Sequence, residues 1–412
     1  MAGAVAAPRG FLVHTASVGL GGDERDGGDD FAILLSAHPA ECSAVFTRSL
    51  FAGPSIVVSR DESRVAAARG VVVTARNGNV ANGPRGLRDA RELRASAARA
   101  CAVPETELLI ASTGVIGRPY PMGEILAHLS SLEWPPTDDD GWPERAARAI
   151  MTTDTRPKTA TERCGPATVL GIAKGVGMIE PDMATLLAFF LTDANIPRPA
   201  LDAIFRRVVD ATFNAVSVDT DTSIADMAAV FANGLAGPVD LGEFERSLHS
   251  VALPLAKMVA RDGEGASKLI EVTVTGARDS AQAKRVAKAV VNSPLVKTGV
   301  TGGDPNWLRI AVAVGKCHDD TDIDADRVTI GIGGTPVQPA GPADRPERTE
   351  RAIEEHLRGD EVHITVGLGI GDARYTAFGC DLGPGFLDIS SRRTCWSTDT
   401  WGIGSRSGPP RP

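Results

Sequence analysis

Several kinds of chemistry have no foothold in this chain. Its six cysteines (Cys42, Cys101, Cys164, Cys317, Cys380 and Cys395) lie far apart, and none forms a CxxC pair. That spacing argues against a zinc knuckle or a disulfide framework and fits a reducing compartment. The seven histidines are scattered, with no HExxH or comparable ligand spacing, so no metal centre is expected. No GxSxG elbow is present. Residues 1–9 lack the apolar core of a signal peptide, and no apolar run approaches membrane-spanning length. The expectation is a soluble, cytoplasmic protein that contacts no membrane. Basic residues are in the minority, 43 against 52 acidic, for a net charge of −9, which argues against a nucleic-acid footprint.

The glycine-rich and acidic loops lack the companions that binding motifs need. Residues 21–30 are rich in glycine and aspartate but have no GK[ST] ending, and their acids would repel phosphate. Residues 367–371 imitate part of a dinucleotide fingerprint, yet no helix follows, so they read as a turn. Residues 319–324 are acidic but lack the glycine and closing glutamate of a calcium loop, so they read as a solvated turn.

What the chain does contain is regular apolar patterning over 412 residues, enough for roughly two to three domains. Residues 11–14, 31–36, 43–47, 55–59, 71–75, 108–111, 186–191, 227–232, 269–275 and 327–331 read as strands. Residues 362–366 and 375–379 read as strands paired across the 367–372 turn. Helical spacing marks residues 87–101, 199–213, 244–259, 282–291 and 347–358. Residues 305–314 read as a further helix, with Asp304 as N-cap and Pro305 in its first position. These elements come in groups rather than in strict alternation. The fold class expected is therefore α+β, with layers of mixed or antiparallel sheet rather than a doubly wound parallel sheet. Residues 134–141 read as an exposed loop, and residues 392–412 as a disordered tail.

Two loops at strand ends combine hydroxyls with small residues. Ser112-Thr113-Gly114 follows a strand and could offer a hydroxyl and backbone N–H groups to an oxyanion, though an ordinary turn is the simpler reading. In the second, a stretch of glycine, proline and acids from Lys174 to Ala184 gives way at Thr185 to the apolar run beginning at Leu186. Attack of the Thr185 hydroxyl on the Ala184 carbonyl would convert the peptide to an ester, and water would then free a new N-terminus. The released amine, with an ordinary pKa of about 7.7–8, could serve as base to the hydroxyl of its own residue. Spacing alone favours the plainer reading, a buried threonine that begins a strand.

The stretch from Lys174 through Gly177, Met178, Glu180, Pro181, Asp182, Ala184 and Thr185 to Leu187 resembles the cleavage signature of the ornithine acetyltransferases (glutamate N-acetyltransferases). Residues 112–117, 150–155, 262–266, 291–298, 304–307 and 379–382 resemble the same family in the same order, from about Arg9 to Leu382. The resemblance implies an N-terminal-nucleophile-like α+β fold, topologically distinct from that of the hydrolases it resembles. It implies self-cleavage into an α chain (1–184) and a β chain (185–391, two subdomains) that assemble as α2β2. The implied reaction moves the acetyl group of N-acetylornithine to glutamate through an acetyl-threonine enzyme. No metal or organic cofactor is required, although some members also accept acetyl-CoA. Thr185 would be the nucleophile, Thr113 and Gly114 the oxyanion donors, and Thr152, Lys174 and Glu264 substrate contacts.

The chain departs from the family at its end. Ser390 stands where an asparagine is usual and Cys395 where a hydroxyl residue closes the substrate site, while Leu308 replaces a glycine after Asn306-Trp307. Two other readings follow: an amide hydrolase or aminopeptidase that passes the same acyl group to water, and a non-catalytic paralogue. Relatives of this architecture serve arginine biosynthesis, and others lie in secondary-metabolite clusters such as that for clavulanic acid.

Overall fold

Successive side chains of a strand face opposite sides of its sheet, so a strand buried at every position must be covered on both faces. Phe31–Ser36, Ala167–Lys174 and most of Leu187–Asn195 meet that condition. The computed structural model, which describes residues 6–21, 28–136, 141–180, 186–338 and 347–392, shows what covers them.

A first sheet runs in the order β1 (Phe11–Ala16), β2 (Phe31–Ser36), β4 (Gly70–Thr74), β5 (Leu108–Ser112), antiparallel except for the parallel β4–β5 pair. A second runs β3 (Glu41–Phe46), β10 (Met227–Pro238), β8 (Leu187–Asn195), β7 (Ala167–Lys174), β6 (Lys158–Cys164), with β8 and β10 parallel. Alternation sorts their side chains. Leu34, Val73 and Ala111 share an apolar layer with Ile172, Phe189 and Phe231, between the two sheets. Ile33, Val72 and Ile110 point the other way, toward helices Gly83–Ala100 and Met122–Ser130. On the far side, Ala188, Phe190 and Val230 pack on helices Arg198–Ala211 and Leu241–Arg261. The result is a helix–sheet–sheet–helix sandwich in which each large apolar side chain contributes about 1.5–3 kcal/mol by burial.

A third sheet has the order β13 (Thr335–Gln338), β12 (Thr329–Ile332), β14 (Glu361–Gly367), β11 (Leu269–Ala277), β15 (Ala373–Cys380), β9 (Val216–Ser217). Helix Ser280–Val291 covers one face, while β14 turns Glu361, His363 and Thr365 outward between buried Val362, Ile364 and Val366. The α+β layering expected from the grouping of elements is borne out. The second sheet draws β3, β6 and β7 from before residue 184 and β8 and β10 from after it, so the two halves of the chain are woven into one sheet.

Four readings need correction. Residues 55–59 form part of a helix, Pro54–Ser59, because Pro54 occupies its first turn and Ser55 and Ser59, four apart, share its buried face. The Ser59 hydroxyl exchanges hydrogen bonds with the carbonyl and amide of Ile110. Strands β14 and β15 do not pair with each other. β11 lies between them, parallel to one and antiparallel to the other, and the turn from 367 to 372 wraps its end, where Ile370 and Gly371 both donate to Gly276 O. The helix expected at 305 begins at Leu308, since Asp304 accepts from the Asn306 amide and pairs with Arg309 instead of capping. The acidic turn at 319–324 is held by cations rather than by water alone: Asp320 is buried and lies 2.6 Å from Arg285. Strands β6 and β7 were not anticipated. The seam residues Ala184 and Thr185, Cys395, residues 393–412 of the expected tail, and parts of the 21–30 and 134–141 loops lie outside the described residues. No helix among the described residues is long and apolar enough to cross a membrane.

Candidate active site

Strands β4 and β5 end side by side, and the loops that leave them are stitched together. The Thr113 amide donates to Thr74 O at 2.9 Å, that of Val115 to Arg76 O at 3.1 Å, and that of Gly78 to Val115 O at 3.0 Å. Gly114, at φ +126°, lies directly on the neighbouring loop. A Cβ there would stand 2.1 Å from the carbonyl carbon of Arg76, so only glycine fits. Arg76, Asn79 and Ala81 all hold positive φ without being glycine. Such conformers cost about 1–3 kcal/mol each and gather where a structure fixes a particular backbone for use.

Lys174, at the end of β7, reaches across to this loop. Its ammonium donates to Thr152 Oγ1 at 2.8 Å and to Thr113 Oγ1 at 3.3 Å, and lies 3.8 Å from Asp154 Oδ2. A threonine oxygen that accepts from an ammonium has its own O–H left to donate elsewhere, which suits an oxyanion donor. Glu264 joins the group from the other half of the chain. Its amide donates to Val176 O at 2.8 Å, and Thr153 Oγ1 donates to its carboxylate at 3.1 Å. Thr113, Gly114, Thr152, Lys174 and Glu264 are thus brought into one region. The side chain of Ser390 and all of Cys395 fall outside the described residues. The helix Pro384–Arg392 nevertheless starts against the turn after Glu264: Gly265, at φ +70°, would place a Cβ 2.1 Å from the Gly385 carbonyl carbon. Leu308, the family's glycine position, is the exposed first residue of its helix, where a side chain costs nothing.

A buried charge network missed in the sequence supports Lys174. Lys158 has no solvent exposure and donates to Asp154 at 2.7 Å and to Asp262 at 2.6 Å. Asp154 also accepts from the amides of Gly175 at 2.8 Å and Thr152 at 3.1 Å. Burial opposes its ionisation, but Lys174, Lys158 and the Gly175 amide outweigh burial and hold its carboxyl well below the usual range. Asp262 in turn accepts from the Thr155 amide and hydroxyl. Asp154 and Asp262 lie inside family-like segments, but Lys158 carries no local signal.

The flanks of the seam are pinned as well. Asp219 accepts from the amides of Met178 and of Ile179, the latter at 2.8 Å. Burial pushes its carboxyl above the usual range, although these amides work in the opposite direction. The Glu180 amide donates to Asp221 O, and its carboxylate accepts from Ser217 and Asn292. On the other side, Leu186 O accepts from the Met227 amide at 3.2 Å. Met178 and Thr220, neither a glycine, both hold positive φ. Asp219 was not anticipated either, because its role depends on a loop forty residues away in sequence.

The family model described as "ArgJ family" matches residues 13–394. The chain belongs to the ArgJ family. It is 60% identical over 391 residues to the glutamate N-acetyltransferase Oat2 of Streptomyces clavuligerus, covering 94% of this chain and 98% of that one. It is 49% identical over 390 residues to the arginine biosynthesis bifunctional protein ArgJ of Rhodococcoides fascians, covering 94% and 95%. Among solved structures, the arginine biosynthesis bifunctional protein argJ of Bacillus halodurans matches 49% of this chain and 96% of its own at 36% identity, with a TM-score of 0.43. The ArgJ relatives thus match this chain across nearly their whole length.

Proposed function

We propose that the chain is a self-cleaving acetyltransferase that moves the acetyl group of N-acetylornithine to glutamate, in the cytoplasm, as an α2β2 assembly. The observation that carries this reading is the hydrogen bond from Lys174 to the Thr113 hydroxyl, beside a loop that admits only glycine at 114. A fixed hydroxyl and the adjacent Gly114 amide form a donor set for a tetrahedral oxyanion. The similarity to Oat2, a protein named as a glutamate N-acetyltransferase, supports the same chemistry.

In the maturation step, Thr185 Oγ attacks the Ala184 carbonyl, the C–N bond breaks, and water hydrolyses the ester to leave a carboxylate on Ala184 and a free amine on Thr185. In the transfer step, Thr185 Oγ attacks the acetyl carbonyl and its proton passes to that amine. Thr113 and Gly114 stabilise the oxyanion. Collapse breaks the amide bond, the proton goes to the departing ornithine nitrogen, and acetyl-Thr185 remains. The glutamate amine then attacks the ester, giving N-acetylglutamate and restoring the threonine. Thr152, Lys174, Ser390 and Cys395 contact substrate, with the Lys174 ammonium suited to a carboxylate, and Glu264 meets the δ-ammonium of ornithine. The interleaving of both halves in the second sheet supports their staying together after cleavage.

Intact-mass spectrometry tests the first step. Two fragments meeting at Ala184/Thr185 are expected, with Thr185→Ala uncut; a single uncut wild-type chain overturns the reading. Acetyl transfer tests the second, and acetate released at a rate indifferent to glutamate would make the protein a hydrolase. Glu264→Gln should raise the KM for acetylornithine, and an unchanged KM removes Glu264 from the ammonium site.

A further inference from the structure

A cleft of about 770 Å³ opens beside the second sheet, and none of Thr113, Thr152, Lys174 or Glu264 lines it. Its size falls within the roughly 300–1,000 Å³ range of small-molecule sites, yet it lacks the groups needed for acyl transfer. Val45 and Phe46 of β3, the edge strand of the sheet, form part of its lining. Helix Glu62–Ala67 contributes Glu62 and Val65, helix Arg198–Ala211 contributes Arg198, Pro199, Asp202 and Arg206, and Arg48 and Arg60 come from the connecting segments.

Its charge is unusual for this molecule. Arg48, Arg60, Arg198 and Arg206 line the cleft against Glu62 and Asp202, so four positive groups less two negative leave +2, in a chain whose net charge is −9. Asp202 is already engaged, accepting from Ser43 Oγ at 2.7 Å and Arg206 Nε at 2.8 Å. The Arg206 hydrogen bond, with help from Ser43 and Arg198, keeps its carboxyl below the usual range although burial works against them. Arg198 spends only Nε, on Cys42 O at 3.3 Å, and the terminal nitrogens of its guanidinium have no partner among the described residues. The Arg60 side chain makes no hydrogen bond or ion pair among the described residues.

We propose that this cleft binds a small organic oligoanion, one that carries two or more phosphate or carboxylate groups. Guanidinium forks match both groups in two-point geometry. The arginines are solvated, and one exposed ion pair at about 4 Å gains only about 1 kcal/mol in water, so a ligand with a single charge would be held poorly. Several charges on one ligand, meeting several guanidiniums at once, add their attractions after a single loss of translational freedom. Val45, Phe46, Val65 and Pro199 give the ligand's carbon skeleton an apolar surface.

Isothermal titration of the full-length protein with pyrophosphate and, separately, with citrate tests this at matched ionic strength, with potassium chloride as the control. Saturable binding is expected for at least one probe, weakened about tenfold or more in Arg60→Gln/Arg198→Gln. Pyrophosphate alone would assign a phosphate ligand, citrate alone a carboxylate ligand, and both alike a site that reads charge. Arg60→Gln by itself, at an exposed position, should weaken binding by less while leaving the melting temperature and acetyl transfer unchanged. Absence of saturable binding by either probe, or equal binding by the double variant, overturns the proposal. So does a wild-type oligomer that the double variant breaks into smaller species, since the cleft would then be an interface between copies.

Discussion

Lys158 sits without solvent exposure between two aspartates, at 2.7 and 2.6 Å, while Arg60 and Arg206 stand exposed at a cleft beside β3. Both regions gather cations, and their physics is opposite. In the first, every charge has left water and depends on its partners, so removing one leaves the others uncompensated. In the second, the charges remain hydrated and contribute little to stability, which leaves them available to a ligand. A buried network holds a geometry, whereas an exposed set waits for one. Lys174 belongs to the first kind: buried, and touching Thr113, it lets the network set where the oxyanion hydroxyl stands.

The sharpest way to break this contrast is Lys158→Met. It leaves Asp154 and Asp262 facing each other in the interior, and a loss of about 3–5 kcal/mol in urea-unfolding free energy is expected. A loss below about 1 kcal/mol would show that water enters the network. Next, Thr113→Ala should lower kcat by about a hundred- to a thousandfold, corresponding to roughly 2.7–4 kcal/mol, with little change in stability. Near-normal kcat would mean that the Gly114 amide alone suffices.

Asp154→Asn addresses the electrostatics through pH. The folded carboxyl ionises below its unfolded value of about 3.9, so it binds fewer protons when folded. Its stabilisation is present above the unfolded value and lost as pH falls through the folded one. The stability difference between wild type and Asp154→Asn should therefore be flat near neutrality and shrink on acidification below about pH 4, followed by denaturation at each pH. A difference that shrinks on going alkaline would assign the effect to another group. The smallest effect is expected at the cleft, where Arg60→Gln should move stability by no more than about 0.5 kcal/mol. A larger cost would make Arg60 part of the fold and end the contrast.

Much of the sandwich was legible because apolar alternation is local. Residues 31–36 and the run from 186 onward announce strands by composition, and both are buried on two faces. Residues 55–59 misled because a short run of valine and isoleucine suits a strand as well as one helical turn, and the decision rests on Ser59 meeting Ile110 across 51 residues. The pairing of β14 with β15 failed for a similar reason: a tight turn suggests a hairpin, but β11 arrives from about a hundred residues earlier and takes the place between them. In the site, the family-like motifs pointed to Thr113, Gly114, Thr152, Lys174 and Glu264, whereas Lys158 and Asp219 stand outside any motif.

The order of amino acids by itself determined the α+β class, the positions of most strands, the family and the chemical types gathered in its motifs, because periodicity and motif spacing are properties of neighbouring residues. The tertiary structure decided which charges are buried and whom they meet. Lys158 finds Asp262 across 104 residues, and Lys174 finds Thr113 across 61. Only the stacking of two sheets brings those atoms together, and only burial makes the Lys158–Asp154 pair a rigid brace for Lys174, the lysine that holds the Thr113 hydroxyl in place.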